Sequence, residues 1–84
     1  MTQPRPFLEV HPYRILTGLR KCLFFSTYQN ALAHILRFSP DDFEWSIDQL
    51  DAEGWVVSAL AAGVTKQQVT RTKAGEFQYH APAN

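Results

Sequence analysis

Eighty-four residues, 45% of them hydrophobic and with no net formal charge, suffice for one small domain with a modest core. They exclude a disordered chain and any whole-molecule attraction to nucleic acid or anionic lipid. A lone cysteine, Cys22, excludes an internal disulfide, and no Cys/His spacing fits zinc, so neither metal nor cofactor is expected.

From the N-terminus, residues 1–11 read as an arm, because Pro4, Pro6 and Pro12 bias the residue before each towards extended geometry. Phe7, Leu8 and Val10 pin it to the body. The domain itself spans 12–81, with 82–84 as a tail. Pro12 suits a first helical position, and Tyr13, Ile15, Leu16, Leu19 and Leu23 follow at spacings that predict a first helix, with Arg14, Arg20 and Lys21 on its wet side. Ser26 and Gln29 have the spacing of a capping box and open a second helix with Tyr28, Ala31, Leu32, Ile35 and Leu36 inward.

A third helix is predicted over Ser39 to Gly54: Ser39 as cap, Pro40 in the first turn, Asp41 and Asp42 at the positive end of the dipole, Gly54 as stop. Phe43, Ile47 and Leu50 form its apolar stripe. The opposite face then carries Asp41, Glu44, Trp45, Asp48 and Gln49. Trp55 to Leu60 is rich in strand formers, Ala61 to Gly63 is a turn, and Val64 to Thr72 returns antiparallel. Thr72 also suits the cap of a short last helix, Lys73 to Tyr79, so helix and strand both stay open there.

Three helices followed by a hairpin give an α+β class, and the segments SPDDFEWSIDQLDAEGWV and VTRTKAGEF resemble the third helix and the post-wing ending of winged helix-turn-helix regulators. The resemblance implies a regulator whose third helix enters the major groove. That helix is acidic here, and Gln49 is its only base-reading residue type, which disfavours DNA on that face.

The expectation is therefore a non-enzymatic regulatory or adaptor protein that meets a basic protein surface through Asp41, Glu44, Trp45, Asp48 and Gln49. Trp45 is either its hot spot or folded back under the arm. The alternative is a DNA-binding regulator, working as a dimer, that touches phosphate through Arg14, Arg20 and Lys21 on the first helix and Lys66, Arg71 and Lys73 on the wing. His11, His34 and His80 are far apart in sequence, and the glycines at 18, 54, 63 and 75 form no phosphate loop. No apolar run approaches a membrane span and no signal-peptide core is present, which leads to the expectation of a cytoplasmic protein.

Overall fold

A computed structural model describes residues 6–81; most of the expected arm's first half and the tail 82–84 lie outside the described residues. The chain runs α1 (Pro6–Val10), β1 (Tyr13–Thr17), β2 (Cys22–Phe25), α2 (Tyr28–Phe38), β3 (Trp45–Leu50), β4 (Val56–Val64), a 3-10 turn (Lys66–Gln68), β5 (Val69–Arg71) and β6 (Phe77–Tyr79). Strands β1 to β4 form one antiparallel sheet in the order β2-β1-β3-β4, and β5 and β6 form a separate hairpin. This replaces the winged helix-turn-helix expectation. Two of its three helices are absent, and the wing's first strand belongs to a four-stranded sheet.

The region read as the first helix is the hairpin β1/β2. Ile15, Leu16, Leu19 and Leu23 fit helical spacing, but Tyr13, Ile15 and Thr17 also alternate, and burial follows the alternation: Ile15 and Thr17 are buried. In the register, Ile15 faces Leu23 on β2 and Ile47 on β3.

The region read as the third helix divides into a turn and a central strand. Phe43 N–H donates to the Pro40 carbonyl at 3.2 Å, closing a turn, and β3 then alternates Trp45 and Ile47 into the core. Ser39 caps the end of α2 instead of starting a helix. Its N–H donates to the Ile35 carbonyl at 3.2 Å, and its Oγ accepts from the Trp45 indole at 2.8 Å.

The second helix stands where its periodicity places it. Thr27, not Ser26, is the cap: its Oγ accepts from Asn30 N–H at 3.0 Å. Gln29 turns away from the cap and clasps β6, donating to the Phe77 carbonyl at 2.7 Å and accepting from Phe77 N–H at 2.6 Å.

Three hairpins in the chain share one loop. Between β1 and β2, β3 and β4, and β5 and β6, three loop residues end in left-handed backbone at Arg20 (φ 64°), Gly54 (φ 94°) and Gly75 (φ 87°). The residue before each loop accepts a side-chain hydrogen bond from the amide four positions on: Lys21 N–H to Thr17 Oγ1 at 3.3 Å, Trp55 N–H to Asp51 Oδ1 at 3.0 Å, Glu76 N–H to Thr72 Oγ1 at 3.2 Å. Gly54 is therefore a hairpin residue and not a helix stop. The segment Lys73 to Tyr79, open between helix and strand, is the third such loop followed by β6.

The core lies between the sheet and α2. Ile15, Ala31, Leu32, Ile35, Trp45, Ile47, Val64 and Val69 form one buried cluster, with Phe77 and Tyr79 of the β5/β6 hairpin packed against it. The connection from β2 to β3 passes over β1, because two strands antiparallel to the same neighbour run parallel to each other and need a crossover; α2 is that crossover. On the other face Leu8 and Leu50 are buried outside this cluster, and Phe7 meets Phe24 edge-on at 5.6 Å. The expected pinning of the arm is thus carried by Leu8, while Val10 is exposed.

Candidate interaction edge of the sheet

Two ion pairs join charged residues of the two sequence-based sites to one another. Arg14 on β1 lies opposite Asp48 on β3, and its guanidinium donates to Asp48 Oδ2 at 3.0 Å. Lys66 reaches Asp41 Oδ1 at 3.4 Å. Each pair joins one residue expected to meet a basic partner with one expected to meet phosphate, which weakens both expected surfaces.

Trp45, the expected hot spot, is only 1% exposed and belongs to the core. Gln49 is half-buried opposite Tyr13, and of the five only Asp41, paired with Lys66, and Glu44 remain exposed. Glu44 borders two adjoining shallow hollows, one also lined by Thr17, Gly18, Leu19, Asp42 and Phe43, the other reaching Ser46 and Gly63. The remaining basic residues are divided between two loops and a strand. Arg20 and Lys21 sit in the β1/β2 loop, Lys73 in the β5/β6 loop, and the Arg71 guanidinium lies 5.9 Å from the Phe77 ring centre, which Arg37 also approaches at 5.4 Å.

The histidines and the cysteine have separate surroundings. His11 stacks on Phe7 at 4.6 Å, and His80 Nε2 shares a 2.6 Å hydrogen bond with Thr70. His34 on α2 is ringed by Phe25, Phe38 and Trp45. Burial lowers its pKa from the ordinary 6.5, and the Lys21 charge lowers it further. The unfolded chain therefore binds this proton more readily than the folded one. Stability is fully present above the unfolded value and falls as pH drops below about 6.5, levelling once the folded pKa is passed. Urea midpoints measured between pH 7.5 and 5 should show this fall, and His34→Gln should flatten it. At Cys22, burial pushes the thiol pKa up, offset only in part by Arg14, so the side chain is the neutral thiol at neutral pH although its residue is exposed.

The sequence reading placed a strand after Gly54 but missed its full length and its place at the edge of the sheet, as β4. This strand pairs with β3 on one side and has no strand on the other among the described residues. Its nine residues oppose only six on β3, because three register shifts each add a residue to it. Gly63 (φ 67°) supplies the left-handed backbone at one of them. The expected turn at Ala61 to Gly63 is thus a bulge inside a continuous strand.

Exposed apolar side chains gather there. Trp55 is 70% exposed, Val57 57%, Val56 49% and Leu60 37%. No Asp, Glu, Lys or Arg occurs from Gly54 to Thr65. Edge strands are ordinarily kept from pairing by charge, proline or brevity. The opposite edge follows that rule, since β2 has four residues and is preceded by Arg20 and Lys21; β4 uses bulges but neither charge, proline nor brevity. Among the described residues no three of His, Cys, Asp and Glu come close enough to hold a metal ion, and no helix is long and apolar enough to cross a membrane. No family model, no curated protein and no solved structure matches the chain.

Proposed function

We propose that this chain is a non-enzymatic protein-contact module that works by strand addition at the free edge of β4. The supporting observation is a nine-residue edge strand with no charged side chain, carrying exposed Val56, Val57 and Leu60 and led by exposed Trp55. Unpaired backbone N–H and C=O groups along such an edge supply directional hydrogen bonds to an incoming strand, and the apolar side chains supply the area whose removal from water drives association. Trp55 is the natural anchor, replacing Trp45 in that role, because a large aromatic at an interface contributes more than its neighbours. The ion pairs Arg14–Asp48 and Lys66–Asp41 already partner four of the charges of the two expected surfaces, so the contact rests on the edge and not on charge.

A photo-crosslinking amino acid at position 57 of the full chain, expressed in its native cells, tests this. Covalent adducts are expected at position 57 and not at position 73 in the β5/β6 loop. A chain that forms none at position 57 would rule the reading out.

A further inference from the structure

We infer that the strand added to β4 is the β4 of a second copy of this chain, the two running antiparallel about a two-fold axis at Leu60. Two four-stranded sheets would then join into one of eight. The inference rests on reading β4 as the contact edge and adds the identity of the partner.

Three features favour a copy over an unrelated strand. First, a two-fold contact about Leu60 places the stretch from Trp55 to Thr65 against itself, and since that stretch has no charge, no like charges meet in it. Second, the register about Leu60 sets exposed Trp55 opposite Thr65 and exposed Val57 opposite Gly63, and brings two exposed apolar side chains face to face only at the axis, Leu60 on Leu60. Third, the bulges give β4 its own coil, and an antiparallel copy carries the same coil by symmetry, whereas a regular strand would have to be bent to follow it.

The contact also closes. Full overlap of the nine residues extends roughly 30 Å along the edge, and the edges left outside are the two short β2 strands, each preceded by Arg20 and Lys21. Pairing of β2 with β2 would bring those charges together, so growth stops at two copies.

Sedimentation velocity of the purified full chain over a range of concentrations reads the outcome. The expected result is a concentration-dependent species of twice the 9.6 kDa chain mass. Leu60→Lys places two ammonium groups at the axis and should weaken the dimer by at least ~100-fold. Mixing Leu60→Lys with Leu60→Glu should restore it as a heterodimer. If circular dichroism shows Leu60→Lys misfolded, Val57→Lys takes its place and should also weaken the dimer. Wild type that stays monomeric, or folded lysine variants that dimerise as wild type does, would overturn the inference. Monomeric wild type that still crosslinks through position 57 to a different protein overturns self-pairing alone. Monomeric wild type with no such adduct overturns the contact edge as well.

Discussion

Trp45→Ala should unfold this protein or bring it close to unfolding. Its ring is 1% exposed within the cluster of Ile15, Leu32, Ile35, Ile47 and Val64, and its indole N–H is held by Ser39 Oγ at 2.8 Å. Truncating a buried aromatic to alanine costs about 3–5 kcal/mol through lost burial and the cavity left behind. A chain of this length has a total of only about 4–12 kcal/mol to lose. The melting midpoint should therefore fall by at least ~12 °C, each kcal/mol being worth about 4–8 °C in a domain this small. Ser39→Ala keeps the ring but strands its donor, at a cost of about 1–3 kcal/mol, so it should fall between wild type and Trp45→Ala. A surface role for Trp45 would instead leave the melt unchanged. Fluorescence gives an independent check. In Trp55→Phe the remaining tryptophan should emit at short wavelength and resist iodide quenching, while in Trp45→Phe, if folded, Trp55 should be readily quenched.

Arg14→Ala has the next largest expected effect. The Arg14 and Asp48 side chains retain 24% and 14% of their exposure, so this pair lies between a surface ion pair worth under ~1 kcal/mol and a buried one whose disruption costs about 3–5 kcal/mol. Removing the guanidinium leaves the more buried carboxylate without its partner, and a loss of about 1–3 kcal/mol is expected. Arg14 Nε is itself buried without an acceptor among the described residues, so the ion pair with Asp48 does not engage every donor of the guanidinium. Replacing both residues with apolar ones, Arg14→Met with Asp48→Leu, should recover most of the loss, because neither charge then has to be desolvated. A double-mutant cycle built on urea unfolding reads the coupling. Additive single losses would show that the pair contributes nothing as a pair.

Several elements were legible in the chain because the signals that define them are local. The helix Tyr28–Phe38 was, since its apolar period and polar start agree and no other element uses those residues. The hairpin loops were legible in principle. Thr17-Gly-Leu-Arg, Asp51-Ala-Glu-Gly and Thr72-Lys-Ala-Gly each place a hydrogen-bonding side chain three residues before the left-handed position. Arg20 hides the first of the three, since left-handed backbone costs a non-glycine residue about 1–2 kcal/mol and is not expected there.

The two misread helices failed for one reason. Ile15, Leu19 and Leu23, and likewise Phe43, Ile47 and Leu50, satisfy helical spacing while Ile15 with Thr17 and Trp45 with Ile47 satisfy strand spacing. The serine, proline and aspartates of 39–42 suit a helix start as well as they suit the turn they form. Ambiguities of this kind are resolved by partners distant in sequence: Ile15 packs between Leu23 and Ile47 in the sheet, and no local pattern contains that information.

The site shows the same division. By itself the sequence determined a single small domain with a modest core, the helix at Tyr28–Phe38 and a charge-free, strand-forming run after Gly54. Only the tertiary structure decided that Trp45 is inside and Trp55 outside, that Arg14 and Lys66 are partnered by Asp48 and Asp41, and that the run after Gly54 is an edge with one side unpaired among the described residues. The physical reason is that propensity and period record how a segment folds on itself. Which backbone groups and side chains remain free is set by the order in which strands from distant parts of the chain lie side by side.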